Sequence, residues 1–355
     1  MQTSDNTKQI KMLSEIVTPL LRWYHSQARI LPWRETPQPY YVWISEIMLQ
    51  QTRVEAVKPY FDRFITALPT VQTLAEIPEG DLLKLWEGLG YYNRARNLQK
   101  AAQKIMKQHA GNIPASYDAL LALPGIGRYT AGAIASIAYH ICVPAVDGNV
   151  LRVITRLIAS REDIMKEKTR KMIEAYLQEI MPIDKAGDLN QALMELGAMV
   201  CLPKGAAKCP LCPLKQLCLT HAEDCTSDIP VKTPKKARRL ESYTMLRLQY
   251  QDKIAFQQRP NKGLLANMWE LPHISGHLSL EAIKSHVTNL GLQVQNIEAL
   301  PPVKHIFTHI EWHMIGYAIT LRAMPAQSFW HWISHTDRAE SFAIPTAFKA
   351  YIFEE

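Results

Sequence analysis

The chain of 355 residues changes its hydrophobic pattern once, near residue 225. Residues 1–225 show the apolar periodicity of helices, with short loops that contain Pro and Gly, and no strand pattern interrupts them. Residues 226–242 contain two prolines and five basic residues but few large apolar side chains, which is typical of a linker. The stretches 243–250 and 253–259 then alternate between apolar and polar residues. The sequence therefore predicts an all-helical region followed by a smaller α+β domain.

The predicted C-terminal domain covers residues 243–355. Gln251 and Asp252 favour a turn, so the two alternating stretches around them should form a hairpin. A helix is expected near residues 279–290, and residues 304–321 have the pattern of two further strands.

Composition indicates a globular protein with an anionic partner. Hydrophobic residues make up 47% of the chain and charged residues 21%, which is too apolar for a disordered protein. Forty Lys and Arg against 33 Asp and Glu give a net charge of +7, which favours nucleic acid or a phosphorylated ligand. The N-terminus lacks the apolar segment of a secretory signal, and the nearly uncharged stretch 129–146 is interrupted by Gly, His and Pro. We therefore expect a cytoplasmic protein with no membrane partner.

Four of the six cysteines, Cys201, Cys209, Cys212 and Cys218, fall within 18 residues. In a reducing compartment so close a group is more typical of a metal site than of disulfides. Four thiolates on one loop can hold either a tetrahedral zinc ion or an iron-sulfur cluster, and their spacing does not separate the two.

A glycine-containing turn, LPGIGRYTA at residues 123–131, lies between two helical patterns. Gly125 and Gly127 permit a tight hairpin whose free backbone N–H groups, at the start of the next helix, can contact a phosphate. This is the helix-hairpin-helix signature. A plain turn between helices is the alternative, but the long flanking helices and the positive charge favour binding to the DNA backbone, which positions a protein without reading the base sequence.

One carboxylate interrupts the apolar stretch 40–53, which should form a buried helix. This residue is Glu46, and helical spacing would place Gln50 and Arg53 on the same face. Burial raises the pKa of a carboxyl group because the charged form loses water, so Glu46 can hold a proton near neutral pH and act as an acid. A structural ion pair with Arg53 or another cation is the alternative.

Asp147 directly precedes another helical pattern, so it is expected to be an N-cap. A carboxylate at the positive end of a helix stays ionised and fixed in position, which suits an anion that must face a developing cation. Together, Glu46 and Asp147 match the requirements of glycosidic bond cleavage. A protonated acid assists the leaving group, and an ionised carboxylate stabilises the oxocarbenium-like sugar.

Two stretches combine aromatic and basic residues: 89–96, LGYYNRAR, and 29–34, RILPWR. Such side chains can insert into a base stack and hold phosphates. For the first stretch, a helix start with core tyrosines is the alternative.

These stretches together resemble the MutY type of adenine DNA glycosylases, within the helix-hairpin-helix glycosylase superfamily. The resemblance runs from about residue 27 through the C-terminal domain. It rests on the cysteine loop and on four further segments in order: VWISEIMLQQTRV, WEGLGYYNRARNLQKAA, LPGIGRYTAGAI and VDGNVLRV.

The resemblance implies a multidomain fold whose active site lies between two helical subdomains. It assigns a six-helix barrel with the hairpin to about residues 34–140, and a subdomain bearing a 4Fe–4S cluster to about residues 1–33 and 141–225. A basic linker follows at 226–242, and a Nudix-like recognition domain at 243–355.

The resemblance also implies a substrate, namely adenine opposite 8-oxoguanine, or guanine, in duplex DNA. Glu46 would donate a proton to N7 of adenine, and Asp147, beside Asn149, would stabilise the sugar cation or its covalent adduct. Tyr129 lies where related bifunctional glycosylases have a lysine. Because Tyr129 offers no amine for a Schiff base, strand cleavage is not expected.

By the same resemblance, Arg34, Leu49 and Gln51 would line the adenine pocket, and Tyr91 would wedge at the mispair. Residues 307–309 match a Phe-Ser-His loop that contacts the oxidised guanine, with Thr308 in place of the serine. The full expected substrate-binding set is Arg29, Leu31, Trp33, Arg34, Leu49, Gln51, Thr52, Tyr91, Gly125, Gly127, Phe307, Thr308 and His309.

The sequence departs from its relatives in the first cysteine gap, which has seven residues where the family commonly has six. The C-terminal domain also lacks the Arg-Glu-x-x-Glu-Glu type of glutamate cluster that a Nudix hydrolase needs for magnesium. This domain should therefore recognise a base rather than hydrolyse a pyrophosphate.

Two other functions are compatible with the cysteines and the hairpin. One is a pyrimidine-damage glycosylase and lyase of the endonuclease III type, against which Tyr129 and the C-terminal domain argue. The other is a non-catalytic iron-sulfur DNA sensor, against which the buried Glu46 argues. The chain is expected to be a monomer associated with the nucleoid, with contacts to repair proteins through the linker.

Overall fold

The computed structural model describes residues 2–203, 207–234, 237–326, 329–334, 336–337 and 342–352. The chain forms two compact units. The first, here called the helical unit, comprises Met1–Glu76 and Asn97–Pro234, and the second, the C-terminal unit, comprises Ile77–Arg96 and Lys235–Glu355. Residues 77–96, which the sequence assigned to the helical region, thus group with the C-terminal residues. The predicted bounds of the two helical subdomains stay a prediction.

The helices up to residue 222 follow the expected pattern and are separated by short loops. In chain order they are α1 (Gln2–Ser14), α2 (Val17–Gln27), α3 (Pro32–Glu35), α4 (Pro39–Leu49), α5 (Val54–Ala67), α6 (Val71–Glu76), α7 (Glu79–Leu85), α8 (Asn93–His109), α9 (Tyr117–Leu121), α10 (Arg128–Tyr139), α11 (Gly148–Leu157), α12 (Glu167–Ile180), α13 (Ala186–Met199) and α14 (Leu219–Ala222).

Helix α4 is the buried helix expected from the apolar stretch, and eight of its residues are buried. It begins with Pro39 in the first turn and ends at Leu49, because the backbone of Gln50 is extended; Gln51 then has a left-handed backbone with φ of 63°. The helix therefore stops before Gln50 and Arg53. The expectation that these two residues share a helical face with Glu46 is wrong.

The glycine-containing turn joins α9 to α10 as expected. Gly125 has a φ of 75°, and a Cβ atom there would lie 2.6 Å from the Cβ of Asn97. Gly127 has an extended backbone and is the N-cap of α10. Of these two positions, position 125 is thus the one where both the backbone conformation and the neighbouring side chain require glycine.

The C-terminal unit contains a mixed sheet of seven described strands: β1 (Arg239–Tyr250), β2 (Lys253–Gln258), β3 (Trp269–Glu270), β4 (His273–Ser275), β5 (Val294–Ile306), β6 (Ile310–Leu321) and β7 (His331–Ser334). The main path has the order β3-β2-β1-β6-β5, with β4 paired to β1 and β7 to β2. The central pair, β1 and β6, is parallel, and the other pairs are antiparallel. Helices α15 (Leu280–Asn289) and α16 (Lys349–Ile352) complete the unit.

The hairpin around Gln251 and the helix after Ser279 are confirmed. Strand β1 begins at Arg239, so it includes the last residues assigned to the linker. Strand β5 begins at Val294, ten residues before the expected start. The sequence did not indicate its first residues, because most positions of the strand are exposed and the apolar alternation is weak there. Within the linker, Lys235 and Lys236 lie outside the described residues.

Both faces of the sheet are covered. Consecutive residues of β1 point to opposite sides, and each side packs in its own core. Met245 packs in a core with Phe256 and Phe348, close to α16. Leu246 packs in a second core with Ile283 and Val287 of α15. No described helix has both the length and the apolar character needed to cross a membrane.

We predict that Gly125→Ala destabilises the helical unit by more than about 1 kcal/mol, because alanine is strained at positive φ and would press on Asn97. The measurement is the free energy of unfolding in urea. Gly127→Ala is the matched control, since its backbone is extended and nothing lies within 4 Å of the added atom. Equal stability of the two variants would contradict the prediction.

Candidate active site

A cavity of about 900 Å³ opens in the helical unit. The segment before α3, the C-terminal half of α4, the starts of α10 and α11, and one face of α13 contribute to its wall. Many residues expected at the active site from the sequence lie here: Arg29, Leu31, Trp33, Arg34, Glu46, Leu49, Gln51, Thr52, Gly127, Tyr129, Asp147 and Asn149.

Glu46 lies on α4 and is only 6% exposed. Its Oε2 accepts a short hydrogen bond from the hydroxyl of Tyr129 at the start of α10. Burial raises the pKa of Glu46 to about 7. The hydrogen bond from Tyr129 opposes this shift, and the charge of Asp147 adds to it. The hydrogen-bond partner of Glu46 is thus a neutral hydroxyl, while the charge of Arg34 lowers its pKa.

Tyr129 is held between two partners. Its hydroxyl oxygen also lies 3.2 Å from Sδ of Met194 on α13. Burial, and next the charge of Glu46, raise the pKa of Tyr129 well above its ordinary value. The residue is therefore a neutral hydroxyl that donates to Glu46.

Asp147 is the N-cap of α11, as the sequence predicts. Its Oδ1 accepts hydrogen bonds from the backbone N–H groups of Asn149, at 2.9 Å, and Val150, at 2.8 Å. Its Oδ2 accepts a third from the side-chain amide of Asn149, at 2.7 Å. Burial raises the pKa of Asp147, while these hydrogen bonds and the charge of Arg152 oppose the shift. The three donors fix the carboxylate before any ligand binds.

Arg152 connects Asn149 to the cysteine loop. Its guanidinium donates to Oδ1 of Asn149 at 2.8 Å, to the carbonyl of Cys201 at 2.7 Å and to the carbonyl of Gly197 at 2.7 Å. The chain of hydrogen bonds thus runs from the carboxylate of Asp147 to the first cysteine of the loop.

Glu195 is a residue of the cavity that sequence reasoning missed. Its side chain is only 1% exposed and accepts two hydrogen bonds from the Arg29 guanidinium, at 2.7 and 2.8 Å, and one from Arg34 at 2.9 Å. Burial alone would raise its pKa, but these bonds lower it to about 2. A carboxylate in the largely apolar run of α13 is the same signal that identified Glu46, and it could have identified Glu195.

Five residues of the expected substrate-binding set lie outside this cavity. Gly125 is in the turn before α10, whereas Tyr91, Phe307, Thr308 and His309 belong to the C-terminal unit. Within that unit the Thr308 hydroxyl lies 3.4 Å from the hydroxyl of Tyr91. The ring of Phe307 packs against those of His305 and Trp312. Tyr91 and Thr308 thus share one surface.

The four clustered cysteines line a second cavity of about 30 Å³ in the helical unit. Arg156, which is 2% exposed, donates a hydrogen bond of 3.2 Å to Sγ of Cys201. Burial raises the pKa of Cys201, and that of Cys212 to about 12. In the described residues no three His, Cys, Asp or Glu side chains converge closely enough for one metal ion. The thiols instead surround a small space beside a buried cation.

We predict that Glu195→Gln lowers the free energy of unfolding by about 3 kcal/mol at neutral pH, because it leaves two arginines facing a neutral amide. The folded pKa of about 2 lies below the ordinary 4.5, so the contribution of Glu195 is complete above pH 4.5 and is lost as the pH falls towards 2. Urea unfolding from neutral to acidic pH measures this. The exposed Glu179→Gln is the control, and a difference that does not shrink in acid would contradict the prediction.

Comparison with known proteins gives two family matches along the chain. Residues 44–182 match the HhH-GPD superfamily of base excision DNA repair proteins, and residues 243–353 match the NUDIX domain. Among solved structures, a thermostable thymine-DNA glycosylase shares 27% identity with a TM-score of 0.54 and covers 61% of this chain and 98% of its own. A trapped endonuclease III–DNA covalent intermediate shares 25% identity with a TM-score of 0.53 and the same coverage.

The curated relatives match over most of this chain. The adenine DNA glycosylase of Buchnera aphidicola subsp. Schizaphis graminum is 34% identical over 304 residues, which cover 85% of this chain and 86% of that protein. The adenine DNA glycosylase of Rattus norvegicus is 33% identical over 397 residues, covering 94% of this chain and 77% of that protein. The chain therefore belongs to the family of adenine DNA glycosylases, within the HhH-GPD superfamily.

Proposed function

We propose that this chain hydrolyses the N-glycosidic bond of adenine in duplex DNA, with adenine opposite 8-oxoguanine as its preferred substrate and adenine opposite guanine as a second one. The observation that carries the proposal is a pair of carboxyl groups at one cavity, Glu46 with a pKa of about 7 and Asp147 with three hydrogen-bond donors. A cavity of about 900 Å³ can admit a nucleotide turned out of the duplex.

Glu46 is the proposed general acid. Burial raises its pKa to about 7, so Glu46 can hold a proton at neutral pH. Because Tyr129 donates to Oε2, the proton is carried by Oε1 and passes to N7 of adenine. Adenine then leaves as a neutral base, which lowers the barrier to breaking its bond to the sugar.

Asp147 is the proposed anion that faces the sugar cation. Its oxygens are fixed by Asn149 and Val150, so its negative charge is in place as positive charge develops at C1′. It stabilises that cation directly or through a covalent adduct. Water then adds at C1′, which releases Asp147 from any adduct, and the proton lost by the water returns to the Glu46 carboxylate. Asn149 is a positioning residue in this scheme, since it donates twice to Asp147.

Tyr129 makes the enzyme monofunctional in this proposal. Schiff-base formation at C1′ requires an uncharged amine, and the group hydrogen-bonded to Glu46 is a phenol. The product is therefore an abasic site in an intact strand.

The adenine pocket is proposed to be lined by Leu49, Gln51 and Arg34, the last held in place by Glu195. The backbone N–H groups at Gly125 and Gly127 would contact phosphates. The remaining cavity residues of the expected substrate-binding set are Arg29, Leu31, Trp33 and Thr52.

Recognition of the oxidised guanine is assigned to the C-terminal unit. Tyr91 is 51% exposed and adjoins Thr308, so an aromatic wedge and a hydroxyl can meet the same base pair. Phe307 and His309 flank that hydroxyl.

A 4Fe–4S cluster is the proposed cofactor, held by Cys201, Cys209, Cys212 and Cys218. The donor set fits, because four thiols surround one space and the Arg156 guanidinium offsets negative charge there. A bound cluster would pin together the loop between α13 and α14. The hydrogen bonds of Arg152 would then keep Asn149 in place beside Asp147.

We further propose that the chain acts as a monomer on DNA in the cytoplasm, associated with the nucleoid. The basic linker is the proposed site of contact with other repair proteins.

Base release from duplexes with adenine opposite 8-oxoguanine, guanine or thymine tests the proposed function. Single-turnover release of adenine, fastest with 8-oxoguanine, is expected. Absence of release with all three duplexes would overturn the proposal and favour a non-catalytic DNA sensor. Borohydride trapping should give no covalent complex, whereas a trapped complex would indicate a lyase of the endonuclease III type.

We predict that the rate of adenine release falls as the pH rises through about 7, since Glu46 must hold its proton to act as an acid. Glu46→Gln keeps the size of the side chain but cannot supply the proton, so it should lower single-turnover release by at least about 100-fold. Release by Glu46→Gln at the wild-type rate would assign the acid to another group.

We predict that Asp147→Asn retains the fold and DNA binding but lowers adenine release by about 100-fold or more. Asparagine is as good an N-cap as aspartate, so α11 stays capped while the negative charge is lost. Circular dichroism and electrophoretic mobility shift with the mispaired duplex check the first part, and single-turnover release checks the second. A variant that is both folded and active would remove Asp147 from the mechanism.

A further inference from the structure

Residues 77–96 form a closed loop within the C-terminal unit. Glu79 starts α7, and Arg96 lies in the first turns of α8. The guanidinium of Arg96 donates to Oε1 of Glu79 at 2.8 Å, so the two ends of the loop are joined. Joining the ends of a loop limits the conformations open to the residues between them.

A residue of the C-terminal domain completes this junction. The side-chain amide of Asn267 donates to the same Oε1 of Glu79 at 3.0 Å, and Arg96 also donates to the carbonyl of Ala266. Asn267 is itself fixed, because its backbone N–H donates to Pro260 and its carbonyl accepts from Gln258. We call Glu79, Arg96 and Asn267 the loop clamp.

Tyr91 belongs to the same loop and has an uncommon backbone conformation. Its φ is 49°, and Gly88 and Gly90 also have positive φ. Arg94 donates to the carbonyls of Leu89 and Gly90, at 2.9 and 3.1 Å, and its guanidinium lies 5.6 Å from the ring centre of Tyr91. The Tyr91 ring is thus half-exposed, with Arg94 over it and Thr308 at its hydroxyl.

We propose that the loop clamp determines specificity by setting the position of Tyr91 relative to Thr308. The C-terminal domain contacts the loop at Glu79 through Asn267 and at Tyr91 through Thr308. The loop therefore belongs to the surface that recognises the base opposite adenine. Glu79, Arg96 and Asn267 act as positioning residues, and this inference rests on the proposed function.

The test combines Glu79→Ala, Asn267→Ala and the double variant with two measurements. Single-turnover release should lose roughly 5-fold or more of its preference for 8-oxoguanine over guanine, mainly through a slower reaction with 8-oxoguanine. Hydrogen exchange in residues 86–92 should become faster in each variant. The double variant should resemble Glu79→Ala, since that change alone already removes the hydrogen bonds from both Arg96 and Asn267. Glu79→Gln, which keeps an acceptor for Asn267, should restore part of the preference.

Matched controls are Asp81→Ala on α7 and Asn261→Ala in the loop before Asn267, because both side chains are exposed. Both controls should keep the wild-type preference and exchange. Unchanged preference in the clamp variants, or an equal loss of rate with both base pairs, would overturn the proposal. The exchange measurement needs no catalysis, so it still tests the clamp if the wild-type protein releases no adenine. Unchanged exchange in residues 86–92 would likewise overturn it.

Discussion

The burial of carboxyl groups is the constraint on which the helical unit depends. Glu46 and Glu195 are both removed from water, yet their pKa values are about 7 and about 2. The difference follows from their partners, because Tyr129 offers Glu46 one neutral hydroxyl whereas Arg29 and Arg34 offer Glu195 two positive charges. At the same cavity, Glu46 can thus hold a proton near neutral pH, whereas Glu195 remains negatively charged.

The same physical chemistry gives Asp147 two roles at once. An N-cap must accept hydrogen bonds from the first turn of its helix, and those bonds leave the carboxylate with almost no freedom to move. A group that opposes developing positive charge needs the same rigidity. The structural role of Asp147 therefore supports the proposed chemical role and does not compete with it.

Local patterns predicted much of the fold. The helices, the cap at Asp147, the turn at Gly125 and the hairpin at Gln251 all depend on residues close in sequence, where propensity decides. The pairing of Glu195 with Arg29 was missed because 166 positions separate the two residues. No local pattern specifies a partner at such a distance.

Other features were missed for different reasons. Helix α4 stops at Leu49 although no glycine or proline follows directly, so its end carried no sequence signal. Strands β3 and β4 have only two and three residues, too few for an alternation to show. The spacing of the cysteines did not decide which metal the loop could hold, since the same thiols suit zinc and iron-sulfur clusters.

The C-terminal unit is assembled from two separate stretches of chain, Ile77–Arg96 and Lys235–Glu355. On the ribosome the first stretch emerges well before the second, so the loop clamp cannot form until Asn267 has been synthesised. Until Thr308 has also been made, Tyr91 lacks the neighbour that it contacts in the folded unit. Pairing over so long a separation also slows folding. The proposed recognition of the base opposite adenine therefore requires that Thr308 has been synthesised, and a product truncated in the linker would lack it.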